Sequence, residues 1–155
     1  MGHLLFLALS VILMGLVSFM GAEAAVGFAT FYTPPYTPSK CHGFQDDGVM
    51  IAAASEEIWA DGAACGKRFK VTCKAGTDLG QPHPCRGSGS VVVQVVDFCP
   101  PGCRGTIDLS QEAFASIANP DAGKIKISFH REACPFADEK ICLNSPIVQL
   151  GVEFA

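Results

Sequence analysis

Residues 95–118 read VVDFCPPGCRGTIDLSQEAFASIA. An apolar strand runs into Asp97, a Cys99-Pro-Pro-Gly-Cys103 loop follows, and Asp108 opens a segment in which Leu109, Ala113, Phe114 and Ile117 recur at helical spacing. Asn119-Pro120 stops that helix, because proline cannot continue it. If the loop folds back, two carboxylates stand at one edge of a small β domain. Paired carboxylates are what glycoside hydrolysis requires. They also suit a non-catalytic sugar site, and an Asp at a helix start serves equally as a cap for orphan amides. Asp108-Leu-Ser-Gln111 fits a capping-box variant, with Ser110 as the alternative cap.

Outward from this stretch, alternation with period two predominates. Gly27–Tyr32, Arg68–Cys73 and Lys124–Phe129 read as half-buried strands, and Ser90–Val96 as a more fully buried one. Met50–Ala54 is small and apolar. Ser55–Ala60 predicts a short helix with Ser55 as N-cap and acids in its first turn, ended by Asp61-Gly62. Thr33–Ser39 is proline-rich turn material that cannot join a central ladder. Lys74–Gly89 reads as a loop, and Ile147–Phe154 as one more strand. Many short strands with one or two short helices predict an all-β fold, a closed or nearly closed barrel.

The first 24 residues stand apart. Leu4–Met20 is an apolar run without Lys, Arg, Asp or Glu, and Ala22-Glu23-Ala24 supplies small-x-small residues, so 1–24 reads as a signal peptide. Its weak n-region and length leave a signal anchor as the competing reading. Removing 24 of the 155 residues leaves 131, one domain of ordinary size. All eight cysteines (Cys41, Cys65, Cys73, Cys85, Cys99, Cys103, Cys134, Cys142) lie downstream, an even count that reads as disulfides in an oxidising compartment. No Cys-x-x-Cys pair occurs and His3, His42, His83 and His130 are scattered, so no metal and no cofactor are expected. After Glu23 leaves with the leader, eleven Lys and Arg face fourteen Asp and Glu. With no basic block, neither nucleic acid nor an anionic membrane is an expected partner, and no insertion in a membrane follows signal cleavage. Asn119 and Asn144 open no glycosylation sequon.

Several separated motifs resemble one family in order: Ala29-Thr-Phe-Tyr32, Met50-Ile-Ala-Ala-Ala-Ser55 with Trp59, Asp61-Gly-Ala-Ala-Cys-Gly66, Val96-Asp97, the Cys99/Cys103 pair, and Ile107-Asp-Leu-Ser-Gln-Glu-Ala-Phe114. They are similar to the plant natriuretic peptides, also called endoglucanase-45-like domain proteins or blight-associated proteins. More distantly they resemble expansin first domains and barwin. The resemblance covers residues 26–130 and implies a six-stranded double-psi β-barrel over 25–130. It leaves 131–155, with Cys134 and Cys142, as an extension. It also implies the pairs Cys41–Cys65 and Cys73–Cys85, with Cys99–Cys103 and Cys134–Cys142 as what remains.

By the same resemblance, Asp108 matches the proton-donating Asp of related endoglucanases, although Thr106-Ile107 replaces the His-Phe that precedes it there. Asp97 matches a second acid of the expansin groove, and Thr30 a Thr that bonds near the catalytic Asp. Thr30 and Tyr32 alternate with Phe31 and so share a face. Thr30, Tyr32, Asp97 and Asp108 are therefore the expected groove, and structural duty remains open for both acids. The endoglucanase base has no match, since Thr33-Pro-Pro-Tyr36 follows Tyr32 and the next acid is Asp46. No catalytic residue is expected. Tyr36, Phe44, Trp59 and Phe98 are candidate aromatics, Trp59 reading better as core. The resemblance implies a secreted, non-enzymatic, monomeric protein of the plant apoplast. Its role would be systemic signalling in water and solute homeostasis and stress, with a cell-surface receptor reading Cys41–Cys65. The alternatives are a non-hydrolytic module that binds or loosens wall polysaccharide and, third, a weak endoglucanase.

Overall fold

The computed structural model describes residues 24–77 and 81–132. Its strands are β1 Ala25–Tyr32, β2 Ile51–Ala54, β3 Arg68–Gly76, β4 Ser90–Phe98, β5 Ile107–Ser110 and β6 Ile125–Arg131. They close into a barrel in the order β1-β5-β2-β4-β3-β6. Neighbours β1/β5 and β2/β4 run parallel, and the other four pairs antiparallel. This is the six-stranded double-psi barrel that the resemblance implied. Two short helices, α1 Glu56–Trp59 and α2 Gln111–Ile117, each lead into a single 3-10 turn. The leader (apart from Ala24), the Cys134–Cys142 pair and the strand expected at 147–154 lie outside the described residues.

Alternation explains the interior. Ile107 and Leu109 of β5, and Ile125, Ile127 and Phe129 of β6, point inward and are buried. Ala113, Phe114 and Ile117 form the buried face of α2, and the Phe114 ring lies 4.9 Å from that of Phe31. Burying a side chain of this size stabilises the fold by roughly 2–3 kcal/mol. A smaller cluster of Ala54, Ala64 and Val95 packs under Ile58, Trp59 and Phe69.

Local structure departs from expectation in four places. Met50–Ala54 supplies a strand, β2, all four of whose residues are buried. Strand β3 runs on to Gly76, into the expected loop. Ser55 holds the N-cap position of α1 but its side chain makes no capping bond. Most consequentially, Asp108 opens no helix. It lies mid-strand in β5, and Ser110 caps α2 by accepting from the Ala113 amide at 3.1 Å. The helical spacing from Leu109 onward overlaps the strand's alternation, and pairing of β5 on both edges decides for strand.

The loop between β1 and β2 folds back over the barrel. Cys41 is bridged to Cys65, and its amide donates to Val96 O at 2.9 Å. Cys73–Cys85 ties the end of β3 to the following loop, and Cys99–Cys103 closes the turn between β4 and β5.

Two substitutions test this packing. Phe114→Ala removes the ring that plugs the barrel, and a loss of about 3–5 kcal/mol is expected in denaturant unfolding. Ser110→Ala removes the cap and the hydroxyl that donates to Val49 O, for an expected loss of about 1–2 kcal/mol with unchanged m-value.

Candidate functional groove

The pairing registers place three of the four expected groove residues, Thr30, Asp108 and Asp97, in one row. Thr30 is opposite Asp108, Asp108 is opposite Ala53, and Ala53 is opposite Asp97. A lateral row therefore crosses β1, β5, β2 and β4. Adjacent strands lie about 4.8 Å apart, so the two Asp Cα atoms stand roughly 9–10 Å from each other. Ala53 between them has only a methyl group, which keeps the floor of the row low.

Each acid has a distinct environment. Thr30 Oγ1 donates to Asp108 Oδ1 at 2.7 Å, and Cys99 Sγ lies 3.9 Å from Oδ2. Burial pushes the Asp108 carboxyl above the usual carboxylate range, and the Thr30 hydrogen bond offsets part of that rise. Asp97 Oδ1 accepts from the Lys40 amide at 3.0 Å and from the Phe98 amide at 2.8 Å. Asp97 thus fastens the β1–β2 loop to the end of β4, a structural role it holds whatever it binds. Gly105 supports Thr30 from beneath: a Cβ there would stand 2.7 Å from Thr30 Oγ1 and 2.9 Å from Ile107 O.

Tyr32, two residues after Thr30, shares its face. Its phenol is pushed up first by burial, then by the negative charges of Asp97 and Asp108 and by Tyr36. Its Oη is buried and makes no hydrogen bond in the described structure. The ring meets Tyr36 edge-on at 5.1 Å. Tyr36 Oη in turn donates to Glu112 Oε2 at 2.6 Å and accepts from the Gln111 amide at 3.3 Å.

Glu112 and Ala53 were not foreseen. Glu112 reaches the site through a contact spanning 76 residues, and Ala53 through strand registers; neither leaves a local signal. The candidate aromatics divide. Trp59 and Phe98 are half-buried and pack on each other at 5.3 Å, whereas Phe44 is 83% exposed. Cys99, Cys103 and Asp108 form the single grouping of possible metal ligands among the described residues. Its two sulfurs are joined to each other, which removes the thiolates a metal would take.

A family model described as lytic transglycolase matches residues 51–129. An "EG45-like domain containing protein" of Citrus jambhiri is 66% identical over 71% of this chain and 83% of its own. A "Putative EG45-like domain containing protein 1" of Arabidopsis thaliana is 52% identical over 77% of this chain and 92% of its own. Among solved structures, a mutant Clavibacter michiganensis expansin in complex with cellohexaose superimposes with a TM-score of 0.56 at 28% identity, covering 75% of this chain. The match spans about half of that expansin, 54%. Fold and groove together define an expansin-like double-psi barrel. Within that class, the chain belongs to the EG45-like domain-containing family.

The raised carboxyl of Asp108 has a stability signature. Between the ordinary carboxylate range, about 3.9, and its own higher value, the folded chain holds a proton that the unfolded chain has released. Stability contributed at low pH is therefore lost as pH rises through that window. Asp108→Asn keeps an acceptor for Thr30 without the buried charge. The variant should match the wild type in melting temperature below about pH 4 and exceed it by a few degrees at neutral pH. A gap that is constant across pH would show that Asp108 bears no burial cost.

Proposed function

We propose that the protein is a secreted, non-hydrolytic expansin-like module that holds a polysaccharide of the plant cell wall along the row Thr30–Asp108–Ala53–Asp97. The observation that carries this reading is the Tyr32 hydroxyl, buried within the field of Asp97 and Asp108 and without a protein partner among the described residues. Buried polar groups find partners, and a sugar hydroxyl is both donor and acceptor, so it satisfies the phenol and the carboxylates together. The cellohexaose complex of an expansin of the same fold supports the ligand class.

Hydrolysis is disfavoured by the same geometry. Asp108, with its raised value, suits proton donation, but an inverting base must activate water on the opposite face of the sugar. Asp97 has one oxygen committed to two amides, and no acid follows Tyr32 before Asp46. The module has an acid without a base. Cello-oligosaccharide titration should give binding that Asp108→Asn and Tyr32→Phe each weaken about tenfold, with no new reducing ends from wild type. Reducing ends that accumulate with wild type and vanish with Asp108→Asn would establish a hydrolase instead.

A second reading is systemic signalling in water and solute homeostasis, through a cell-surface receptor that reads Cys41–Cys65. It is favoured by the bridge itself and by the exposed Phe44, Val49 and Met50 that the bridged segment displays. Closing this span contributes about 3 kcal/mol against unfolding. Protoplast swelling separates the two roles. A swelling response to the secreted protein that is lost in the Cys41→Ser/Cys65→Ser variant but kept in Asp108→Asn assigns the activity to the loop; no response from the wild type removes this reading.

A further inference from the structure

We propose that the β1–β2 loop builds an additional sugar subsite beside Tyr36, into which a glycan chain lying in the groove continues. The inference rests on the groove reading above and names a part of the molecule that reading does not use. A cavity of about 310 Å³ opens between the loop and the barrel, with Tyr36, Phe44, Asp46 and Val49 on its walls and Ile51 and Val96 on its floor. That volume lies at the lower end of small-molecule sites, roughly 300–1,000 Å³. It accommodates a hexosyl unit and not a folded partner.

Continuity with the groove is carried by Tyr36. Its ring packs edge-on against Tyr32, the groove residue whose hydroxyl is unsatisfied, and it lines the cavity. The Glu112 carboxylate and the Gln111 amide hold the Tyr36 hydroxyl, so the ring between the two compartments is fixed in place.

The chemistry of the walls matches a pyranose, which presents an apolar C–H face and a rim of hydroxyls. Phe44 offers a ring that is 83% exposed, and Val49 beside it is 43% exposed. A large apolar ring held out in water is a ready surface for the apolar face. Thr37, Gln45 and Asp46 supply acceptors and donors for the rim.

The walls are also set before any ligand arrives. The Asp47 carboxylate, its side chain buried, bonds His42 Nδ1 at 2.9 Å and accepts from Gln45 Nε2 at 2.7 Å. Asp46 Oδ1 accepts from the Gly48 amide at 2.9 Å, Ser110 Oγ donates to Val49 O, and the Lys40 amide donates to Asp97. Together with Cys41–Cys65, these contacts mean that binding does not have to order the loop.

The test is titration of the isotope-labelled secreted protein with cellotriose and with cellohexaose, followed by amide shifts. Wild type should bind the hexamer about tenfold more tightly than the trimer, with shifts at Phe44 and Gly48 only for the hexamer. Phe44→Ala, an exposed change that leaves the barrel intact, should bring the hexamer down to trimer affinity, and Phe44→Trp should retain the gain. If Phe44→Ala binds the hexamer as wild type does, the subsite is wrong and the groove stands. If wild type binds neither oligomer, the groove reading fails and the subsite with it.

Discussion

Strand β5 carries four residues and is hydrogen-bonded on both edges, parallel to β1 and antiparallel to β2. Its pairing closes the barrel, and the same pairing sets the groove. Ile107 and Leu109 face inward and are fully buried, so Asp108 between them must face out. A slip of one residue would send the carboxylate into the core and two aliphatic side chains into water. Register here is therefore specified by hydrophobic burial, and the position of the acid follows from it. Nothing in the groove has to hold Asp108 in place for this to be true; Thr30 only orients it.

Covalent staples concentrate around that strand's neighbours. The Cys99–Cys103 bridge limits the path from β4 to β5, the crossing that separates Asp97 from Asp108. Cys41–Cys65 holds the long loop against the end of β4, where the Cys41 amide meets Val96 O and the Lys40 amide meets Asp97. A small barrel with a half-buried acid and an unsatisfied phenol carries an electrostatic cost, and these bridges offset it through the unfolded state. Asp97 belongs to both accounts, as a staple for the loop and as one end of the row.

The parts of the fold that were legible in sequence are those where a single periodicity prevails. Strands β1, β3 and β6 alternate because one face meets the core and the other water, and their positions were read to within a few residues. Strand β2, Ile-Ala-Ala-Ala, carries no alternation of apolar and polar residues, and all four of its residues are buried. Strand β5 was misread because Leu109, Ala113, Phe114 and Ile117 satisfy a helical period while Ile107 and Leu109 satisfy a strand period. Only long-range pairing separates the two. The four expected groove residues do stand together, yet that juxtaposition was legible through family resemblance and not through spacing, since Thr30 and Asp108 are 78 residues apart. The Tyr36–Glu112 contact and the cavity beside it had no sequence signal at all.

The groove suits a glycan and the loop a receptor. The connections make them mechanically one surface. Tyr36 touches Tyr32 on one side and lines the loop's cavity on the other, and Asp97 is bonded to the loop at Lys40. Opening Cys41–Cys65 would free the Asp97 end of the row as well as the Phe44 wall, so loss of the bridge alone does not tell a receptor loop from a glycan subsite. Asp108→Asn acts on the row and leaves the loop's own bonds in place, whereas Phe44→Ala acts on the loop and leaves the row. The physical separation of the two roles therefore lies in side chains at opposite ends of this surface, and not in the disulfide between them.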